Sequence, residues 1–319
     1  MKILVTGATG FIGTQLSETL ANSGHEVRCT ARSLAPNRST TLEMVTCDLE
    51  SADNLDHLTM GCDAIVHLAG RAHVMSDDPA TSESLYLSAN VDVTRKLAQS
   101  AARTGVKRMI LMSSVKVNGE STTIDSPFTS QDTPNPQDPY GRSKTQAEQA
   151  LWEVASSSGL EGVVIRPPLV YGPGVRANFA SLIGIVNRGI PLPLGSIQNK
   201  RSFVSIDNLI DCITTALQSS NAEGQTFLVS DGHDLSTPEL IRSIASAIHK
   251  SPMLIPFPPA LLKLAATTAG KRGAYDRLCG SLTVDIALTK QKLSWTPPFT
   301  VQDSMQRTVD AFIQSRDSR

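Results

Sequence analysis

Tyr140 and Lys144 stand four residues apart, in the run Tyr140-Gly-Arg-Ser-Lys144. On a helix that spacing puts a phenol and an amine on one face. A free tyrosine titrates near 10, so it is a poor proton-transfer group at neutral pH unless a positive charge favours its phenolate. Lowering that pKa by roughly three units corresponds to about 4 kcal/mol of differential stabilisation. Five residues of this pattern arise readily by chance, and the alternative is a surface Tyr–Lys pair. The weighting changes upstream, where the apolar run 109–112 ends in Ser113-Ser114. Open α/β sheets place ligands at the carboxyl ends of their strands. A serine hydroxyl there can hold a substrate oxygen while Tyr140 moves its proton.

A second chemical signal lies at the start of the chain. The run 2–6 leads into Gly7-Ala8-Thr9-Gly10-Phe11-Ile12-Gly13 and then a helical pattern. Glycines let backbone approach a pyrophosphate, and the helix N-terminus offers unpaired N–H groups and the positive end of a dipole. The spacing is GxxGxxG, and a turn that binds nothing is the alternative. The second strand of such a unit ends near the adenosine ribose. An acidic residue there selects NAD(H), and a basic one accommodates the 2′-phosphate of NADP(H). Here it ends in Thr30-Ala31-Arg32, with Arg38 nearby and no carboxylate. The reading therefore leans to NADP(H) over NAD(H), against the alternative of an Arg32 that stacks on adenine or lies in solvent.

The elements that must position these groups follow from periodicity. Short β-rich runs at 2–6, 26–31, 44–47, 64–68, 108–112 and 162–166 alternate with helical stretches, including 90–104 closed by Gly105 and 147–158 closed by Gly159. Several strands are continuous apolar runs, as in parallel strands covered on both faces. The expected fold is α/β, a doubly wound parallel Rossmann sheet with a smaller C-terminal substrate-binding lobe. After Arg166 the pattern is broken by Pro167, Pro168, Pro173, Pro191 and Pro193. A strand at 203–206, a helix at 208–217 and a strand at 226–230 follow. The expected division is 1–166 plus 201–230 for the dinucleotide domain and 167–200 plus 231–319 for the substrate lobe.

Composition excludes several classes. The 319 residues carry a net charge of -1, with 40% hydrophobic and 18% charged residues, so no basic footprint argues for nucleic acid or an anionic membrane. Five isolated cysteines show no metal-site or CxxC spacing, and no metal is expected. They read as free thiols of a cytoplasmic protein. There is no secretory leader pattern. The most apolar later stretch, 257–270, holds Lys263 and two prolines and is shorter than a spanning helix. It reads as an amphipathic helix of the small lobe, with a membrane-surface role as the lesser alternative.

With GATGFIG at 7–13, HLAG at 67–70, Asn90-Val91, SSVKVNG at 113–119, YGRSK at 140–144 and RPPLVYGPG at 166–174, the chain resembles, over essentially its whole length, an extended short-chain dehydrogenase/reductase of the NAD-dependent epimerase/dehydratase type. The resemblance implies Ser114, Tyr140 and Lys144 as the catalytic triad, with Ser114 preferred to Ser113 because it lies five residues before Gly119. Lys144 would also hold the nicotinamide ribose. It further implies Gly7, Gly10, Phe11, Ile12, Gly13, Leu68 and Ala69 against the cofactor, and Asp48 and Leu49 at its adenine. Two departures narrow the reaction. Sugar dehydratases carry Thr-Asp-Glu where this chain has Ser114-Val115-Lys116, and Val115 and Lys116 cannot supply the acid and base that dehydration needs. Asn118 replaces a frequent tyrosine and either faces the substrate or packs structurally.

On the substrate side, Leu169 replaces a usual asparagine and removes a polar contact. The resemblance puts Lys116, Asn178, Arg201 and Arg277 toward a nucleotide sugar, expected to be a UDP-sugar. A guanidinium suits a diphosphate, while a surface arginine is the alternative for both Arg201 and Arg277. The pattern is most similar to bacterial surface-polysaccharide members: reductases of UDP-4-keto-6-deoxy-N-acetylhexosamines, among them UDP-N-acetylquinovosamine dehydrogenase, alongside UDP-sugar 4-epimerases. The first expectation is C4 reduction by NADPH. The alternatives are 4-epimerisation with retained NAD and a dinucleotide-sensing or partner-binding module without turnover. A homodimer through the helices at 90–104 and 145–158 is the family-level expectation.

Overall fold

The computed structural model describes residues 1–33, 42–71 and 79–317. In chain order the first half gives β1 (Lys2–Thr6), α1 (Phe11–Asn22), β2 (Glu26–Ala31), β3 (Leu42–Thr46), α2 (Asp56–Thr59), β4 (Ala64–His67), α3 (Pro79–Tyr86), a π-helical turn (Leu87–Asp92), α4 (Val93–Thr104), β5 (Arg108–Met112) and α5 (Pro139–Ser156). Then come β6 (Glu161–Arg166), β7 (Leu169–Tyr171), α6 (Ala177–Asn187), β8 (Phe203–Ser205), α7 (Ile206–Gln218) and β9 (Gln225–Leu228). Helices α8 (Thr237–Ala247), α9 (Pro259–Thr268), α10 (Arg272–Cys279), α11 (Ala287–Leu293) and α12 (Val301–Asp317) complete the chain.

Seven strands form one parallel sheet in the order β3-β2-β1-β4-β5-β6-β9. The doubly wound expectation holds, and the strand order reverses between β1 and β4, where such sheets open a ligand crevice. Side chains along β1 alternate between two cores. Ile3 and Val5 join Leu16, Leu20, Leu209 and Ile213 beneath α1 and α7. Leu4 joins Leu97, Ala101 and Leu151 beneath α4 and α5 on the other face. Each fully buried branched side chain contributes about 1.5–3 kcal/mol relative to exposure, so both faces hold the sheet that carries the site.

A third core, built on Tyr171, Phe179, Ile183, Ile244 and Val309, lies in the small lobe among α6, α8 and α12. Strand β8 pairs with β7 in a separate two-stranded sheet, and not with the main sheet that the reading of 201–230 anticipates. Pro167 and Pro168 follow β6 directly and end its pairing, which frees the chain to start β7 elsewhere. Helix α7 and β9 do return to the large sheet. Helix α5 begins at Pro139, earlier than the 147 expected from periodicity, because Asp138 accepts from the Gly141 amide at 2.6 Å and Pro139 occupies the first turn. The five cysteines are free. No helix among the described residues is long and apolar enough to cross a membrane.

Candidate active site

The glycine turn closes over the sheet edge at the switch point. Gly7 has φ +69°, and a Cβ there would lie 2.7 Å from the Ala69 nitrogen. A Cβ on Gly13 would fall 2.2 Å from the Gly7 carbonyl oxygen. These positions therefore admit only glycine. Gly10 N-caps α1 without a side-chain bond to the first turn, and that turn, which opens with Phe11 and Ile12, contains no acidic residue. The exposed end of the helix thus keeps its amides and dipole for an anion, and the residues present fit a dinucleotide pyrophosphate. The facing loop is pinned in place: Thr6 Oγ1 accepts from the Ala69 amide at 3.2 Å and bonds His67 Nδ1 at 2.6 Å. Leu68 and Ala69 are half-buried there.

At the carboxyl end of β2, Arg32 is exposed, and Arg38 lies outside the described residues. Leu49 is buried. The Asp48 carboxylate accepts from Ser51 Oγ at 2.9 Å and the Glu50 amide at 3.2 Å. Ser51 leads the contacts that hold it below the ordinary aspartate range, with Arg32 contributing charge.

Ser114 follows the end of β5, and Tyr140 and Lys144 sit in the first turns of α5. The Ser114 hydroxyl is near enough to the Tyr140 phenol to lower its pKa. It also accepts from the Lys116 amide at 3.3 Å, which fixes its direction. Lys144 is buried, and its Nζ donates to the Met112 carbonyl at 2.9 Å. Gly70 leaves the wall beside it open, since a Cβ there would stand 2.7 Å from Asn90 Oδ1 and 3.4 Å from Lys144 Nζ.

The electrostatics correct one expectation. Lys144 does not ease Tyr140 toward its phenolate here. Burial, the largest influence, pushes the phenol up to about 12; Ser114 pulls it down, and Asp138 and Tyr86 push it up. Burial also lowers Lys144 to about 8, with Glu148 opposing. Without ligand the phenol is therefore held in its neutral form.

The neighbouring serine is occupied differently. Ser113 is buried and donates to Glu148 Oε1. Glu148 takes Arg166 Nε at 2.9 Å and Nη2 at 2.6 Å, and Arg166 Nη1 reaches Asn118 Oδ1 at 3.0 Å. Asn118 then donates to the Thr129 carbonyl at 2.7 Å. Asn118 is thereby assigned to packing. Sequence reasoning passed over Glu148, although its spacing from Tyr140 and Lys144 puts all three on one helix face. Tyr86 gave no signal at all; its ring meets Tyr140 edge-on at 6.0 Å.

The four substrate-side candidates divide. Lys116 Nζ is 2.6 Å from Asp138 Oδ2 and 2.7 Å from Glu120 Oε1, so its charge ties the serine turn to the start of α5. Asn178 is exposed at the start of α6, beside the buried Phe179 that stacks on Tyr171. Arg201 is half-buried between Leu235 and Leu282 and donates Nη1 to the Gly280 carbonyl at 2.9 Å. Arg277 is exposed on α10, three residues before Gly280. Leu169, in place of the family's asparagine, is 41% exposed on β7 and presents carbon where a polar contact is usual.

Residues 3–230 match the model of the NAD dependent epimerase/dehydratase family. The chain is similar to a UDP-glucose 4-epimerase of Vibrio cholerae, 45% identical over 99% of this chain and 97% of that protein. A more distant relative from Escherichia coli O157:H7, an N-acetyl-alpha-D-glucosaminyl-diphospho-ditrans,octacis-undecaprenol 4-epimerase, is 26% identical over 97% of this chain and 94% of its own. Among solved structures, MoeE5 in complex with UDP-glucose and NAD superposes with a TM-score of 0.79 at 25% identity, covering 99% of this chain and 100% of that one.

Proposed function

Because this chain belongs to the NAD dependent epimerase/dehydratase family, we propose that it is a UDP-sugar 4-epimerase that retains NAD(H). The observation that carries this reading over C4 reduction is the 45% identity, across nearly the whole chain, to the Vibrio cholerae UDP-glucose 4-epimerase. It reverses the order in which the motifs alone rank the two reactions. Dehydration has no support, since Val115 is buried and Lys116 is paired with carboxylates.

A nicotinamide dinucleotide held by the glycine cradle would supply the hydride acceptor and a positive charge. Tyr140 would take the proton from the sugar 4-hydroxyl while Ser114 holds that oxygen, and would return it once the 4-keto-sugar has presented its opposite face. Bringing the phenol from about 12 to neutral pH takes about 7 kcal/mol of differential stabilisation. That demand would fall on the positive charge of the bound cofactor. Arg201 is suited to one phosphate of the sugar diphosphate, with Arg277 and Asn178 at the same mouth. The enzyme is expected to act in the cytoplasm as a homodimer through the outer faces of α4 and α5, on residues 1–166 with 201–230 for cofactor and the rest for substrate.

The test is direct. Purified enzyme is given UDP-glucose or UDP-N-acetylglucosamine without added reductant, and the C4 epimer is followed by proton NMR. Expected are an equilibrium mixture of epimers and NAD released on acid extraction. The second reading, C4 reduction with NADPH, is favoured by the exposed Arg32 past β2. It prevails if no epimer forms and reduced nicotinamide is consumed with a UDP-4-keto-6-deoxy-hexosamine.

A further inference from the structure

Helices α9 and α10 form a hairpin in which neither helix has a buried residue. The Tyr275 hydroxyl donates to the Pro259 carbonyl at 3.3 Å and closes it. Its underside rests on the small-lobe core through half-buried Leu262 and Cys279. The outer side is also apolar. Leu261 is 54% exposed and Leu264 is 61% exposed, and with Ala265 and Thr268 they follow the i, i+3, i+4, i+7 spacing of a second helical stripe. The chain entering the hairpin adds to it. Leu254 turns inward on the bridge to Leu192, while Met253 and Ile255 on either side are exposed. A helix apolar on both sides, with one side bare, lacks a partner among the described residues.

Charge indicates which partner. Residues 250–280 contain Lys250, Lys263, Lys271, Arg272 and Arg277 against a single acid, Asp276, in a chain whose net charge is -1. Asp276 is bonded by Arg272, which leaves most of this positive excess uncompensated within the segment. Exposed leucines bordered by cations complement a surface that is apolar inside and anionic at its face. The helix of ten residues is too short to span.

We propose that the α9–α10 hairpin docks this protein on an anionic phospholipid surface, with Leu261 and Leu264 entering the headgroup boundary and Lys263 and Lys271 meeting lipid phosphates. This overrides the sequence expectation of no membrane partner and gives the lesser alternative for 257–270 a surface. The base of the hairpin is the Gly280 carbonyl that receives Arg201. Docking would therefore hold the substrate mouth close to the membrane face.

The experiment is flotation of the full chain with vesicles of phosphatidylcholine alone or mixed with phosphatidylglycerol, while turnover of a soluble UDP-sugar is monitored separately. Binding is expected only to the anionic vesicles and is expected to be lost at about 1 M salt, where charges are screened within a few ångströms. Leu261→Asp with Leu264→Asp should abolish flotation and leave soluble turnover unchanged. Lys263→Glu with Lys271→Glu should weaken it at least about 25-fold, roughly fivefold per cation removed. If the aspartate pair lowers the melting temperature, the glutamate pair carries the test. Failure of the wild-type chain to float with anionic vesicles overturns the proposal. So does a second copy on this face, seen as a concentration-dependent mass in sedimentation equilibrium that the aspartate pair abolishes. Neither outcome bears on the epimerase reading, which rests on turnover.

Discussion

Ser114 lies against the phenol of Tyr140, while Ser113, the other serine that follows β5, points the other way into the buried Glu148–Arg166 pair. Strand alternation enforces this division, since adjacent residues in extended backbone face opposite sides. Substituting the two serines should separate catalysis from stability. Ser114→Ala is expected to lower kcat about 10²–10³-fold, as loss of a donor to the reacting oxygen does. Ser113→Ala should keep kcat within a few-fold and cost about 1 kcal/mol in urea unfolding, because Glu148 retains Arg166. Comparable losses of kcat in both variants would reject the assignment.

Tyr140→Phe removes the phenol proposed to move the substrate proton and leaves the glycine cradle untouched. Turnover should fall below detection in a coupled epimerisation assay, with dinucleotide affinity within about threefold by calorimetry. Residual turnover near the wild-type rate would remove the phenol from the mechanism.

Sequence patterning shows the sheet well, and brings the candidate triad to notice, because both depend on local spacing. Strands β1, β2 and β5 coincide with the apolar runs that announce them, and Tyr140 and Lys144 lie one helical turn apart. What it does not show is set by contacts between distant residues. Nothing near Lys116 in the chain says that its amine reaches Asp138, 22 residues on. The fate of Asn118 is decided by Arg166 on another strand. Arg201 looks like a phosphate ligand from its motif, but its guanidinium in this structure is partly engaged by a carbonyl 79 residues away. The sequence order of reductase and epimerase turned on Arg32, whose exposed side chain past β2 still favours the second reading.

Gly13→Ala tests the cradle. Its added carbon would fall 2.2 Å from a backbone carbonyl that cannot yield without opening the turn. The variant should release NAD on purification and lose turnover at least about 100-fold, since the reaction needs the ring in register with Tyr140. Bound NAD at wild-type stoichiometry would show that the pyrophosphate sits elsewhere.

Lys116→Met distinguishes positioning from substrate binding. The ammonium bridges Glu120 and Asp138, and Asp138 caps the helix that carries Tyr140. Loss of the bridge should lower kcat about tenfold through misplacement of the phenol, with KM changed less than threefold, and Lys116→Arg should restore it. A raised KM with unchanged kcat would instead return this residue to the sugar, as the motif reading has it.

His67 makes the fold acid-sensitive. Its ring is buried beneath the cradle, with Nδ1 bonded to Thr6 and Nε2 without a partner among the described residues. Burial first, then the nearby Lys144 charge, holds its pKa down at about 3, against 6.5 when exposed. Between these values the unfolded chain binds a proton that the folded chain refuses. The associated stability is complete above 6.5 and is lost as pH falls toward 3, about 5 kcal/mol in all. Other groups titrate in the same range, so the difference from a non-titrating variant is the decisive quantity. From pH 7 to pH 4 wild type should lose about 3 kcal/mol more than His67→Gln in urea unfolding. Parallel curves would mean that the imidazole takes up its proton without leaving the fold, through a water or a shifted Lys144 at Nε2.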